Sequence, residues 1–253
     1  MRSKYIVSLS GNDIFSGGGL HADLATYTVN GLHGFVAVTC LTAMTDLGFE
    51  VFPTEEAVFE KQLTSLQEVD FAAIKLGLLP NVAIAKQALH FVRSHAGVPT
   101  VLDPVLICKE THDVEVTNLR DELLAFFPYV TIVTPNLAEA ELLIQRKIQT
   151  VTEMKEAARI LHELGAQHVV IKGGSRLDQT RAIDVYYNGS DYHVLESQLL
   201  DKNNTGAGCT FASSIASQLA LGASVFEAVT VSKDFVYGAI RASDEYGVVQ
   251  YEN

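Results

Sequence analysis

Several segments of this 253-residue chain carry the residue types needed to hold phosphate. The stretch Asn203-Asn204-Thr205-Gly206-Ala207-Gly208-Cys209-Thr210-Phe211 runs small residues straight into a helical pattern. Backbone N–H groups at such a start have no intrahelical partner, and the helix dipole adds positive potential at the same point, so an anion fits there. The plainer alternative is a glycine turn before a helix. Val170-Ile171-Lys172-Gly173-Gly174 ends a buried strand in a cation and two glycines, where Lys172 either meets phosphate charge or is a surface lysine before a turn. Thr134-Pro135-Asn136-Leu137-Ala138-Glu139 puts Asn136 at a helix start with Glu139 three residues on, which is the spacing of a capping box. Beside a bound nucleotide the same Glu139 would hold water on Mg²⁺, an ion that keeps several waters and takes few protein carboxylates. In the segment Gly11 to Gly19, Gly17, Gly18 and Gly19 permit close backbone approach to a ligand. Asp13 and Asp23 are candidate polar ligands there, and Asp23 is alternatively an ordinary first-turn helix acid.

Other chemistries are poorly supported. Gly17-x-Gly19-x-x-Ala22, with Asp46 near the end of the next strand, imitates a dinucleotide-binding fingerprint, but Gly11 to Ser16 separate it from the strand it should follow directly. The chain contains no GxxxxGK[ST] loop and no GxSxG elbow, and His162-Glu163 has no second histidine at metalloprotease spacing. Cys40, Cys108 and Cys209 are far apart and form no CxxC pair, so any cysteine acts as a single thiol. Thirty acidic against 18 basic side chains give a net charge of −12, which argues against a nucleic-acid partner. No apolar run approaches the ~18 residues of a membrane span, and the first ten residues lack the features of a signal peptide, so a cytoplasmic protein with no membrane partner is expected.

The elements that must position these loops alternate along the chain. Strands are expected at 5–10, 35–42, 71–76, 100–102, 130–133 and 168–171, and helices at 20–29, 55–66, 82–92, 118–126 and 154–164. Such βα repetition gives a parallel sheet covered on both faces by helices, in which ligands sit at the carboxyl ends of the strands. After Lys172 the runs 182–187 and 192–195 flank Asn188-Gly189, a dipeptide that favours the type I′ turn of an antiparallel hairpin. Helical spacing then returns over 207–221 and 225–240, broken at Gly222. A 48% hydrophobic content and the absence of a linker-like segment favour one domain over residues 1–253.

Six segments together carry a resemblance over nearly the whole chain: Gly11-Asn-Asp-x-x-Ser-Gly-Gly-Gly19, Lys75-Leu-Gly-Leu-Leu-Pro80, Asp103-Pro-Val-Leu-Ile-Cys108, Thr134 to Glu139, Lys172-Gly-Gly174 and Gly206 to Phe211. With them the chain resembles the ribokinase superfamily, in the branch of hydroxymethylpyrimidine (phosphate) kinases and related bacterial pyridoxal kinases. The resemblance implies a three-layer α/β sandwich with a mostly parallel central sheet, helices on both faces and a terminal β-hairpin. It implies ATP-dependent phosphoryl transfer to a primary alcohol on a small heteroaromatic ring, with Mg²⁺, a candidate monovalent cation and a homodimeric assembly. Gly206, Ala207, Gly208 and Cys209 would form the anion hole, with Asn136 and Lys172 at the ATP phosphates, Gly174 and Asp184 in the nucleotide site, and Glu139 organising Mg²⁺. Asp13, Gly18, Asp23, Met44 and Cys108 would surround the acceptor.

Cys209 stands where most of the superfamily places an Asp that takes the hydroxyl proton, although this branch carries Cys, and a thiol at a helix N-terminus is expected to have a lowered pKa. Met44 occupies a position where the pyrimidine kinases typically have Gln, whose hydrogen bonds a thioether cannot replace. Cys108 matches a lid cysteine of the pyridoxal kinases, able to add to an aldehyde. Asn204-Thr205 replaces the Thr-His that usually precedes the anion-hole glycine, and the segment 44–53 is shorter than in some relatives. The expected activity is phosphorylation of the 5′-hydroxymethyl group of pyridoxal and related B6 vitamers. A hydroxymethylpyrimidine kinase and a catalytically silent vitamer-binding protein stay open as alternatives.

Overall fold

The computed structural model describes residues 4–106 and 113–251. In chain order the strands are β1 (Tyr5–Ser10), β2 (His33–Val38), β3 (Cys40–Thr45), β4 (Gly48–Pro53), β5 (Phe71–Leu76), β6 (Thr100–Leu102), β7 (Ile132–Val133), β8 (His168–Lys172), β9 (Arg181–Tyr187) and β10 (Tyr192–Gln198). The helices are α1 (Gly19–Val29), α2 (Glu56–Leu66), α3 (Val82–Ser94), α4 (Asp113–Leu124), α5 (Leu137–Ile144), α6 (Val151–Glu163), α7 (Ala207–Leu221) and α8 (Val225–Arg241).

Eight strands form one sheet in the order β10-β9-β8-β7-β6-β5-β1-β2. The pairs from β2 to β8 are parallel, and β9 and β10 add antiparallel at one edge. Parallel strands buried on both faces need apolar residues at every position, which is why Ile6-Val7 and Val169-Val170-Ile171 are unbroken apolar runs with no exposure. One face packs under α2 to α6 through residues such as Phe59, Ile84, Leu123, Leu143 and Met154. The other packs under α1, α7 and α8 through Tyr27, Phe211, Ile215 and Val229. The outcome is the expected three-layer sandwich with its terminal hairpin.

Two local expectations need correction. The run 35–42 is not one strand, because the chain leaves the main sheet at Thr39. Val38 is the last residue of β2 registered on β1, opposite Ser10. The buried Thr39 then donates from its hydroxyl to the Leu78 carbonyl at 2.6 Å and from its N–H to the Ser10 carbonyl at 3.0 Å. Beyond it β3 pairs antiparallel with β4 in a separate two-stranded sheet, with Thr42 opposite Val51 and Met44 opposite Phe49. The strand β4 escaped the sequence reading, since Gly48 and Pro53 bound a short run whose partner is local and whose faces are mostly open.

The second correction concerns Asn188-Gly189. A type I′ turn needs positive φ at both residues, whereas here only Gly189 has it, at +93°. Strands β9 and β10 are joined by the four residues 188–191. The Asn188 side chain accepts from the N–H groups of Ser190 and Asp191 at 2.9 and 2.7 Å, so an Asx turn makes the bend.

Candidate active site

From β1 the chain steps outward to β2, then crosses back to β5 on the other side of β1. A strand order that reverses this way opens a crevice at the carboxyl ends of β1 and β5. The loops after β1, β5, β6, β7 and β8 and the start of α7 converge on that edge.

The α7 start and the glycine loop touch, although almost 190 residues separate them in sequence. Gly206 caps α7 in the left-handed region (φ +84°), and no side chain caps the turn. A Cβ on Gly206 would lie 1.5 Å from the Gly17 carbonyl oxygen, so no other residue fits. A Cβ on Gly18 would lie 3.4 Å from Asp13 Oδ2, 3.5 Å from Gly206 Cα and 3.7 Å from Cys209 Sγ, which puts the thiol beside the glycine loop. Both carboxylate oxygens of Asp13 are engaged in shaping that loop, Oδ1 accepting from Phe15 N at 3.0 Å and Oδ2 from Gly18 N at 2.8 Å. The C-terminal segment buttresses it: Val248 N donates to the Thr205 carbonyl at 3.0 Å, and a Cβ on Gly17 would lie 2.5 Å from the Tyr246 carbonyl oxygen. No motif marks residues 244–250, so sequence reading missed them.

On the other side of Gly208 stands Lys172. A Cβ on Gly208 would be 3.3 Å from Lys172 Nζ and 4.0 Å from Asp103 Oδ2, so no side chain separates the cation from the helix start. Lys172 Nζ donates to Asp103 Oδ1 at 2.8 Å, and Thr134 Oγ1 donates to the same oxygen at 3.2 Å. Burial disfavours the Lys172 charge, but the Asp103 and Glu139 carboxylates outweigh it and hold the ammonium pKa above its usual value. Asp103 belongs to one of the six segments, yet the sequence reading gave it no role.

Asn136 and Glu139 form the capping box that their spacing allowed. Asn136 Oδ1 accepts from Glu139 N at 2.9 Å, and Glu139 Oε2 accepts from Asn136 N at 2.7 Å. Capping does not exhaust Glu139. Burial pushes its carboxyl up to about 7, Lys172 pulls it down, and Asp103 raises it further. A buried carboxyl with a second carboxylate and one lysine beside it is a donor set suited to a divalent cation that keeps most of its waters. Among the described residues no group of three or more His, Cys, Asp or Glu could hold a metal alone, so a bound Mg²⁺ would take its remaining ligands from water and phosphate.

A cleft of about 420 Å³ opens between the end of β8, the β9–β10 hairpin, α5 and the α7–α8 pair, lined by Lys172, Gly174, Asp184, Gly208, Lys233 and Tyr237 among others. Gly174 turns there with φ +55°. Asp184 lines the cleft, and its oxygens are spent within the protein: Oδ1 accepts from Gly173 N at 3.0 Å and Oδ2 from Lys233 Nζ at 2.8 Å. Lys233 lies in the middle of α8, where only the fold could reveal that it faces this cleft.

Two expectations change, those for Asp23 and Cys209. Asp23 is fully buried and bound bidentately by Lys75 Nζ at 2.9 and 3.0 Å, so it is enclosed beneath the site and is not a substrate ligand. Cys209 does not have a lowered pKa: burial pushes its thiol up to about 11, and Asp103 and Asp23 add to this against the opposing charge of Lys75. Being at a helix start is outweighed by desolvation and two nearby carboxylates. Met44 is 56% exposed on β3, facing the same way as Thr42, whose Oγ1 accepts from Ile14 N at 3.1 Å and whose N–H donates to Asn12 Oδ1 at 2.6 Å, so the hairpin is fastened over the glycine loop with Met44 near its turn. Cys108 lies outside the described residues.

No helix among the described residues is long and apolar enough to cross a membrane. Residues 13–252 match the phosphomethylpyrimidine kinase family. The pyridoxine kinase of Bacillus subtilis (strain 168) is 37% identical over 247 residues, covering 94% of this chain and 90% of that protein. The structure of the pyridoxal kinase from Staphylococcus aureus in complex with AMP-PCP superposes with a TM-score of 0.93 at 35% identity, covering 99% of this chain and 94% of that one. The same enzyme in complex with pyridoxal gives 0.88 at 36% identity, covering 95% and 89%. These matches span the chain that builds the glycine loop, the Lys172–Asp103 pair and the α7 start, and the chain belongs to the phosphomethylpyrimidine kinase family.

Proposed function

We propose that this protein transfers the γ-phosphoryl group of Mg·ATP to the 5′-hydroxymethyl group of pyridoxal, and also of pyridoxine and pyridoxamine. One observation carries this reading. Gly208 lies against Lys172, which lines a nucleotide-sized cleft, and the next residue, Cys209, turns its thiol toward the glycine loop. A phosphoryl group passing from cleft to loop would travel over the N-terminal turn of α7. The full-length similarity to a pyridoxine kinase and to a pyridoxal kinase solved with pyridoxal supports the B6 vitamer over a pyrimidine alcohol. The assembled cation and anion hole argue against a silent binding protein.

In this mechanism the transition state is loose, so positioning and charge stabilisation do most of the work. Lys172 and the N–H groups of Gly206, Gly208 and Cys209 meet the charge on the transferred group, whereas the Ala207 N–H is donated to the Asn204 carbonyl at 3.0 Å. Mg²⁺, held through water by Asp103 and Glu139, would neutralise phosphate charge when bound. Gly174 and the Asp184–Lys233 pair shape the nucleotide side, while Asp13 and Gly18 set the acceptor loop. Cys209 receives the hydroxyl proton in its thiolate form. Cys108 adds to the aldehyde of pyridoxal as a reversible hemithioacetal, with the thiol proton passing to the carbonyl oxygen.

This reading treats residues 1–253 as one cytoplasmic kinase domain that works as a homodimer, with a monovalent cation as a further candidate ligand. The dimer is supported by the β3–β4 sheet, which leaves Leu41, Leu47 and Phe52 exposed, Leu47 at 77%. ADP release measured over pyridoxal, pyridoxine, pyridoxamine and hydroxymethylpyrimidine tests the assignment. Release should require a B6 vitamer, and Cys108→Ala should lower kcat/KM for pyridoxal far more than for pyridoxine, which has no aldehyde. Turnover confined to hydroxymethylpyrimidine would reassign the enzyme.

A further inference from the structure

Lys75 and Asp23 are fully buried charges placed at the floor of the site. Lys75 projects from β5 on the same face as Ala73, which packs with Tyr27 of α1 and Phe211 and Ile215 of α7. Its Nζ donates to both oxygens of Asp23, and Ser213 Oγ donates to Asp23 Oδ1. Ser213 follows Cys209 by four residues and so lies on the same face of α7, one turn deeper. One turn after Asp23, the Tyr27 hydroxyl shares a 2.6 Å hydrogen bond with Ser8 of β1. Polar bonds thus tie α1 to β1, β5 and α7 directly beneath the reacting groups.

A buried ion pair is weak evidence for stability, since apolar replacements of similar volume are often as stable. The placement of this one points to function. A Cβ on Gly77, the residue that follows β5 at the strand-order reversal, would lie 2.7 Å from Lys75 Nζ, so the ammonium sits at the carboxyl edge of the sheet where the site opens. The charged groups acting on the Cys209 thiol are Lys75 from β5, Asp103 from the loop after β6, Asp23 from α1 and Lys172 from β8, with the Gly19 N–H also bonded to it.

We propose that the buried Asp23–Lys75 pair is a positioning device for phosphoryl transfer, which fixes the first turns of α7 through Ser213 and sets a cation beside Cys209. The inference rests on the kinase reading above. Lys75 acts through Cys209 and α7, touching no substrate atom, so it is a positioning residue. Of the pair's two effects on the thiol, the cation's is the larger, so removing both charges should make the thiol harder to ionise.

The test uses Asp23→Asn/Lys75→Met, which leaves no lone buried charge, and Ser213→Ala, which cuts only the link to α7. Iodoacetamide alkylation of Cys209 in substrate-free protein is followed across a pH series and read on its own peptide by mass spectrometry, apart from Cys40 and Cys108. The double variant should alkylate Cys209 at least about threefold more slowly at a fixed pH below its midpoint. Its kcat with pyridoxal should fall on the order of tenfold or more, as expected when reacting groups lose alignment, with the KM for ATP nearly unchanged. Ser213→Ala should lower kcat in the same sense while leaving the alkylation rate close to that of the parent. A folded double variant with unchanged alkylation overturns the proposal, even where its melting temperature drops, because that is the signature of a merely structural pair. If the double variant fails to fold, unchanged kcat in Ser213→Ala overturns it. Should the parent protein not phosphorylate pyridoxal, the kinase reading falls, whereas alkylation, measured without substrate, still decides the role of the pair.

Discussion

At the scale of single residues, the proposed chemistry concentrates on Lys172, Glu139 and Cys209. Lys172 keeps its charge because two carboxylates outweigh its burial, and in the proposed mechanism that charge is met by phosphate once ATP arrives. Lys172→Ala and Glu139→Gln should each lower kcat by on the order of 10²-fold or more at saturating ATP. Circular dichroism should show little loss of folded structure in either, and near-parental turnover would return that residue to a structural role. The Cys209 thiol sets a pH dependence. With its pKa raised to about 11, only about one molecule in 10⁴ carries the thiolate at pH 7. Activity limited by that thiolate should rise with pH from 7 toward 10, and Cys209→Asp, already ionised at neutrality, should flatten the rise. A pH-independent rate in the parent enzyme would show that another group, such as the phosphate itself, takes the proton. The raised folded-state pKa of Glu139, at about 7, bears on stability. Its neutral form favours the folded state, so ATP-free protein should lose that stabilisation as pH rises from the usual carboxylate range through 7.

At the scale of elements, the site depends on two glycine turns that the fold presses together. Gly206→Ala would force a Cβ into the Gly17 carbonyl oxygen and also impose a left-handed φ on a non-glycine residue. Activity should be lost together with a fall in melting temperature, whereas Gly97→Ala, at a positive φ with open space around it, should cost stability alone. Much of this was legible in sequence, since parallel strands buried on both sides announce themselves as apolar runs and helices by their spacing. The strands β1, β5 and β6 and the helix α7 fall on the expected residues. What escaped depended on distant partners. The break at Thr39 is set by Leu78 and Ser10, the burial of Asp23 by a lysine 52 residues away, and the place of Lys233 by an aspartate 49 residues away. A local pattern holds no record of such pairings. The Asn136–Glu139 box and a role for Glu139 toward Mg²⁺ were both legible in the sequence, whereas the placing of Asp103 and Lys172 beside it was not.

At the scale of the whole molecule, a chain of net charge −12 gathers Lys172, Lys233 and a helix start around one cleft, where the proposed mechanism places the anionic nucleotide. ATP that binds only the folded form should stabilise it by about 2.7 kcal/mol at a hundredfold excess over Kd, read as a raised Tm, and Lys172→Ala should shrink that shift. The β3–β4 sheet projects from the body with an apolar outer face, and its proposed role as the dimer contact is open to direct measurement. Leu41→Glu/Phe52→Glu should sediment as a monomer where the parent sediments as a dimer, and unchanged sedimentation would place the contact elsewhere. The central claim is that a phosphoryl group crosses the α7 start onto the 5′-oxygen of pyridoxal. Phosphorus NMR of the product formed from pyridoxal and Mg·ATP tests it most directly. The account predicts a new phosphate monoester resonance coupled to the 5′-methylene protons, appearing one for one with ADP. Inorganic phosphate as the sole product, or ADP formed at the same rate without pyridoxal, would contradict it.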